Sequence, residues 1–361
     1  MFPKVKCRFP MITLLMNAPH YCALTDFDRA NAARHVHDIV FTAIAHDPEQ
    51  AALIVFDAEC PLAGVLADAY ALALPKAHLI QVETVGNEVV MNAFSALPAG
   101  SLVVLVQSTH FRLDAYRLRV QLFNQGLKVI EHVHLARMVD EQARLYIDSL
   151  AYDPVYYRGT GVALKLKIDA APSARVVSHG GDVLLFDSAL EAAKMNIGDY
   201  RAMSNVGGQF PIGEVFTEAQ DLTVVHGRAK VFVFGDTTFH CNWPERAITL
   251  VVEAGRVVAV ENSTPHFDDV LSKIREVEGD VWIRELGLGM NRAFSESRRV
   301  SDIGTFERMC GIHLSLGAKH GSYNKPQFKR KDTRFHIDVF IESAAVYMGD
   351  DLIFSKGRWL V

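Results

Sequence analysis

Two hydrophobic rhythms divide the chain. Between residues 30 and 150, short and continuous apolar runs alternate with helix-like stretches: AALIVFD (51–57), HLIQVE (78–83), SLVVLVQ (101–107) and LKVIEHVHL (127–135). A strand that is apolar at every position is buried on both faces, which marks a parallel sheet covered by helices. The intervening helices are expected to run on to Leu74, around Met91, over 116–125 and over 141–150. No GxGxxG follows the first run and no P-loop occurs, so this half shows no nucleotide fingerprint.

From about Lys165 the texture changes. Strand candidates crowd together at DVLLFD (182–187), DLTVVHG (221–227), KVFVFGD (230–236) and AITLVVEAGRVVAVE (247–261), the last with a hairpin turn at EAGR. One helix, 267–277, interrupts them. Strands return at VWIREL (281–286), IHLSLG (312–317), FHIDVFI (335–341) and AAVYMGDDLIFSKGRWL (344–360), where Gly349-Asp350 marks another hairpin. The expected architecture is α/β plus α+β: an N-terminal parallel-sheet α/β domain over 1–165, then a β-rich α+β metal-binding domain over 166–361.

The second half also holds the candidate chemistry. Glu214 lies in GGQFPIGEVFT, Glu285 in VWIRELGLGMN, His313 in GIHLSLG, and His336 and Asp338 in RFHIDVFIE. In the last segment Phe335, Ile337 and Val339 alternate with His336 and Asp338. Residues two apart on a strand share a face, so imidazole and carboxylate point the same way. Carboxylate and imidazole ligands without a thiolate suit one or two divalent ions such as zinc, cobalt, manganese or iron.

Other histidines compete for attention. His35 and His37 sit two apart in a helical context and face different directions. His132 and His134 end a strand and could present both rings together. His110 and His179 follow strand-like runs and could line a cleft between the halves. Thr238, His240, Asn242 and Trp243, in TTFHCNWPE, form the best candidate for substrate contact outside the ligand set.

Composition narrows the class further. Half of the residues are hydrophobic, 22% are charged and the net charge is −5, with no basic-aromatic stripe, so a nucleic-acid partner is not expected. Cys7, Cys22, Cys60, Cys241 and Cys310 are odd in number and scattered, which points to a reducing, cytoplasmic setting. The opening run PMITLLMNAP is too short to span a bilayer, so no membrane partner is expected either.

In these contexts the second half resembles the thermophilic, aminopeptidase T-type metalloaminopeptidases and the related mononuclear-iron dioxygenases that open 2,5-dihydroxypyridine. PIGEVFTEA resembles P-x-G-E-V-F-T-A-P, RELGLGMN resembles E-x-G-I-G-x-N, GIHLSLG resembles the stretch leading to H-I-A-L-G, and RFHIDVF resembles S-x-H-x-D. The resemblance implies Glu214, Glu285, His313, His336 and Asp338 as metal ligands, with Glu285 as bridging carboxylate and base. It implies metal-assisted hydrolysis of an amide of a small peptide or small anionic substrate, and a homodimer. Zinc, cobalt or manganese would serve a hydrolase, and Fe(II) a ring-opening dioxygenase. A third reading is a peptide-binding protein that kept the fold and lost turnover.

The sequence departs from the pattern in three places. Where the resembling peptidases place an essential tyrosine, this chain has His320, with Tyr323 three residues on; these two are the candidates for a catalytic donor beside Glu285. The glycine-rich stretch before S-x-H-x-D is replaced by NKPQFKRKDTR. Residues 284–334 hold eleven Lys or Arg against five Asp or Glu, and a basic approach would favour an anionic substrate over a free amine.

Overall fold

The four apolar runs of the first half become strands β1 (Ala52–Phe56), β2 (His78–Gln81), β3 (Leu102–Val106) and β4 (Lys128–His132), all parallel. The computed structural model describes residues 19–111, 113 and 118–361. Cys7, Tyr116 and most of the opening apolar run lie outside the described residues. Alternate positions serve different cores: Ile54, Val104 and Ile130 pack into one, and Leu53, Val55, Val103 and Leu105 into the other. That two-sided burial is why these runs show no polar alternation. Helices α1 (Asp26–Asp38), α2 (Pro61–Ala73), α3 (Asn87–Ser95), α4 (Leu118–Asn124), α5 (Gln142–Ser149) and α6 (Pro154–Ala170) surround and follow the sheet. Thr25 and Asp28 close a capping box at the start of α1, and Asp153 caps α6 ahead of Pro154.

The second half contributes β5 (Ala174–Ser178), β6 (Val183–Phe186), β7 (Lys194–Asn196), β8 (Gly207–Gln209), β9 (Glu214–Thr217), β10 (Val225–Gly235), β11 (Cys241–Asn242), β12 (Ile248–Glu253) and β13 (Arg256–Glu261). After helix α7 (Pro265–Glu278) come β14 (Ile283–Gly289), the short α8 (Ile303–Phe306), β15 (Gly311–Leu316), β16 (Ile337–Ile341), β17 (Ser343–Met348), β18 (Asp351–Ser355) and β19 (Arg358–Trp359). All but β8 join one 14-stranded sheet with the path β19-β18-β17-β5-β6-β10-β16-β15-β14-β9-β7, where β11 and β12 attach to β10 and β13 to β12. Both expected hairpins form, β12–β13 across Ala254-Gly255 and β17–β18 across Gly349-Asp350.

Two expectations need correction. The runs at 221–227 and 230–236 are not separate strands; β10 runs unbroken through Val225–Gly235 after a single 3-10 turn at Leu222–Val224. Its first part pairs with β6 and β12 and its last part with β16 and β11, so one strand serves four neighbours. The second surprise is β8, which leaves the β-rich half to become the fifth strand of the parallel sheet beside β4. GGQ has no apolar signature to betray it. Gly207 lies at φ +103, and a Cβ there would fall 1.9 Å from the Val129 carbonyl oxygen, so only glycine lets the backbones approach this closely. The expected division between residues 165 and 166 falls inside α6.

At the end of β4 the two histidines part company. His132 is fully buried, with Nε2 2.7 Å from the Tyr70 hydroxyl and Nδ1 2.8 Å from the Tyr146 hydroxyl, which in turn donates to the Phe210 carbonyl. His134 takes a left-handed backbone (φ +57) and turns to Asp302. The rings therefore do not present together. Burial pulls the His132 imidazole from 6.5 down to about 3. Between those values the unfolded chain binds a proton that the folded protein refuses, so stability falls as pH drops from about 6.5 towards 3. The His132 ring is expected to stay neutral at pH 5 in the folded protein, read from its imidazole 15N shifts. Titration near 6.5 would contradict its place in a dry network.

Candidate metal centre

Four neighbouring strands, in the order β16-β15-β14-β9, carry Asp338, His313, Glu285 and Glu214. Register sets their meeting: His313 lies opposite Gly287, Glu214 opposite Gly289, and Asp338 opposite Ser315. His336, two residues before Asp338, projects to the same side, its Nε2 3.2 Å from Asp338 Oδ1. Glu214, Glu285, His313 and Asp338 are all buried. Gly287 makes the arrangement feasible, because a Cβ there would stand 2.1 Å from His313 Nε2. The imidazole reaches the carboxylates by crossing the bare backbone of β14.

The polar atoms converge in two groups that share Glu285. Glu214, Glu285 and His313 each offer an atom within 4.8 Å of the others, and so do Glu285, His336 and Asp338. His313 Nε2 lies 3.2 Å from Glu214 Oε1 and 3.3 Å from Glu285 Oε1. Either group could hold a divalent cation with oxygen and nitrogen ligands. The fit is supported by Asp338 Oδ1, which is buried yet has no aligned hydrogen-bond donor. His336 donates Nδ1–H towards the Lys319 carbonyl at 3.2 Å, which turns Nε2 to the cluster as a ligand nitrogen would be turned.

Electrostatics shows how the carboxylates tolerate burial. Burial alone would push the Glu285 carboxyl up; His313 and His320 overcome that and hold it below the usual range. Burial would likewise lower both imidazoles, but Glu214 and Glu285 hold His313 well above its ordinary value, and Asp338 lifts His336 to about 10. Arg308, which the sequence reading missed, is buried and sits 2.6 Å from Glu214 Oε2 and 2.5 Å from Glu307 Oε1. Burial pushes the Glu307 carboxyl up to about 8, at the mouth of the site.

His320 and Tyr323 take different roles. The Ser322 amide donates to His320 Nδ1 at 3.1 Å, so the remaining proton of the neutral ring is on Nε2. That nitrogen lies 3.0 Å from Glu285 Oε2 but is not aligned with it as a hydrogen bond. His320 thus presents an N–H to the cluster. Tyr323 does not present its hydroxyl, which donates to the carbonyls of Ala192 (2.8 Å) and Phe216 (3.2 Å). Its ring packs on His320 instead, with centroids 4.9 Å apart.

The cluster opens into a cavity of about 700 Å3 between the two sheets. Glu131, His134 and Gln209 line it from the parallel-sheet side with Arg119 of α4, and His336 and Asp338 from the other side with Glu307 just after α8. His110 reaches this cavity, whereas His179 lines a different one beside Glu296. Arg137 and His134 both reach Asp302 at 2.9 Å and so tie the halves together. Within the 236–243 loop, Thr238 lines the cavity. Asn242 bonds within the loop to Asp236, and Thr238 Oγ1 is 3.0 Å from His240 Nδ1. Phe239, absent from the expected contacts, lines the cavity, and both it and Trp243 are exposed.

Part of the expected basic approach is consumed by structure. Arg284 is buried against Glu218, Lys325 against Glu191, and Arg308 against Glu214. Arg292 and Arg298 reach back to Asp153 and Asp148. Among the described residues four cysteines are free, and no helix is long and apolar enough to cross a membrane.

No known family profile matches the chain, and no curated protein matches its sequence. Solved structures do. A 2,5-dihydroxypyridine dioxygenase from Pseudomonas putida KT2440 aligns with a TM-score of 0.65 at 14% identity, covering 94% of this chain and 98% of its own. AmpT from Thermus thermophilus aligns with a TM-score of 0.56 at 12% identity, covering 92% of this chain and 100% of its own. The chain has the fold of these two enzymes. Identities this low leave the reaction to be argued from the site.

Two substitutions test the cluster. Asp338→Ala removes a buried ligand candidate, and Gly287→Ala drives a methyl into the His313 ring without touching any ligand atom. Both are expected to lose bound metal by elemental analysis, while His37→Ala, on the exposed side of α1, keeps it. Wild-type metal content in Gly287→Ala would show that His313 is not held where the cluster needs it.

Proposed function

We propose that the chain is a metal-dependent hydrolase cleaving an amide or peptide bond. One observation carries this reading: Glu285 belongs to both ligand groups, as a carboxylate shared between two ions would. A bound divalent pair supplies a water of lowered pKa and polarises the scissile carbonyl. Glu285 takes the proton from the attacking water as general base through an oxygen not given to an ion. The Nε2–H of His320 faces the same space and donates to the oxygen that gains charge, the place filled by a tyrosine hydroxyl in the peptidases that the sequence resembles. Glu214 is fixed on its far oxygen by Arg308, and Ser315 Oγ accepts the Glu285 amide at 3.0 Å.

A second reading has its own observation. With Glu214 engaged by Arg308 at 2.6 Å, the groups left over are Glu285, His313, His336 and Asp338, from which a mononuclear set could be drawn. Two imidazoles and one carboxylate are the ligand set of mononuclear iron oxygenases. The dioxygenase alignment, at TM-score 0.65, supports the same direction.

The two readings separate in one experiment. The hydrolase reading expects anaerobic cleavage of an aminoacyl p-nitroanilide panel by zinc-, cobalt- or manganese-loaded protein. Glu285→Gln is then expected to lose about 10²–10⁴-fold in kcat, with metal content measured alongside. Oxygen uptake with one ferrous ion per chain and no anaerobic cleavage would decide for the dioxygenase. Wild-type kcat in Glu285→Gln would remove the base assigned here.

A further inference from the structure

Beyond His336 the cleft opens into a second cavity of about 490 Å3, floored by Phe239, Gly321 and Phe335. Lys319, Arg334 and Asp236 are the charged groups in its wall beside His336. Two cations face one carboxylate, so the wall keeps a net positive charge. Asp236 is already satisfied by its own loop, accepting from the Thr238 amide (2.8 Å), Thr238 Oγ1 (2.6 Å) and Asn242 Nδ2 (3.0 Å). Those bonds outweigh burial and hold its carboxyl down at about 2.

The two cations, in contrast, are held out. The Glu278 carboxylate at the end of α7 accepts the amides of Ala318 (2.7 Å), Arg334 (2.6 Å) and Phe335 (2.8 Å). It fixes the two segments that carry Lys319 and Arg334 while spending its own lone pairs on backbone. Among the described residues neither cationic head group has a carboxylate partner. Phe239 adds a second constraint. It holds a left-handed backbone (φ +64), rare for a bulky residue, and Arg137 bonds the carbonyls of Phe239 (2.6 Å) and Thr238 (3.0 Å). Its ring, 58% exposed, is thereby kept at the junction of both cavities.

We propose that this cavity is a substrate subsite for a free carboxylate: Lys319 and Arg334 take the oxyanion, Phe239 and Phe335 flank the chain behind it, and the bond to be cleaved lies towards His336 and Asp338. The substrate class is a short peptide or acylated amino acid with an unblocked carboxylate. The inference deepens the hydrolase reading and rests on it only for the bond that breaks. Arginine and lysine at the wall of an aromatic-lined cavity suit an oxyanion with a short apolar neck.

Calorimetric binding of N-benzoylglycine and of its neutral amide to the full chain tests this, zinc-loaded and after chelation. The acid is expected to bind about tenfold tighter than the amide in both states, a difference of about 1.4 kcal/mol. The double variant Lys319→Met/Arg334→Met is expected to bring the ratio to about one at unchanged metal content, and Arg334→Lys to retain the preference. Equal binding of acid and amide to the wild type would overturn the subsite. So would an advantage that survives the double variant, or one that vanishes with the metal alone. Inorganic phosphate displacing the acid at equal concentration would also overturn it, since phosphate has no apolar neck. Turnover is not read here, so a protein that prefers the acid yet fails the anaerobic cleavage assay would lose the hydrolase reading and keep the subsite.

Discussion

Three carboxylates buried side by side on one face of a β-sheet must be met by positive charge. Glu214, Glu285 and Asp338 sit on β9, β14 and β16 with only β15 intervening, and each is almost wholly removed from water. Uncompensated, such a group costs several kcal/mol or gives up its charge. Here His313 and His336 hold protons they would ordinarily have released, and Arg308 covers the remaining oxygen of Glu214. A divalent cation can take the place of those protons, and that exchange couples metal binding to proton release. Much of the local sequence follows from this demand: glycine at 287 to admit an imidazole, serine at 315 to hold the Glu285 backbone, arginine at 308 to neutralise Glu214.

The parallel sheet supplies the other wall. Strand β8 ends at Gln209, and the chain then crosses to Glu214 at the start of β9, so one short stretch belongs to both sheets. The carboxyl end of β4 carries Val133 and His134 to the cleft, where ligands of open α/β sheets gather. Arg137 and His134 meet on Asp302, which also caps α8, and this fixes the loop that carries Phe239. A buried Arg284–Glu218 pair does similar work from behind: Arg284 bonds the carbonyls of Ala318 and Tyr323 and thereby brackets the loop bearing Lys319 and His320.

How much of this was legible in the sequence depended on whether a residue's partner was local. The doubly buried strands 51–57 and 101–107 could be read because burial on both faces writes itself as unbroken apolarity. His336 and Asp338 could be placed together because a strand repeats every two residues. Strand β8 could not, since GGQ has no hydrophobic pattern and its place depends on an approach to Val129 that only the fold reveals. Arg308 looked like one of many surface cations, and its pairing with Glu214 spans 94 residues. Phe239 passed unnoticed among the polar residues of TTFHCNWPE because its exposure is imposed by Arg137, about a hundred residues away. Tyr323 was misjudged for the same reason: its hydroxyl is claimed by Ala192 and Phe216, which no local spacing discloses.

The central claim is that one carboxylate, Glu285, organises the cation site. Crystals of cobalt-loaded protein, measured for anomalous scattering at the cobalt edge, test it most directly. The account predicts the strongest anomalous peak about 2.0–2.2 Å from a Glu285 oxygen, with His336 and Asp338 or His313 and Glu214 completing its shell. A peak on exposed histidines elsewhere, with the Glu285 oxygens still facing only imidazole nitrogens, would contradict it.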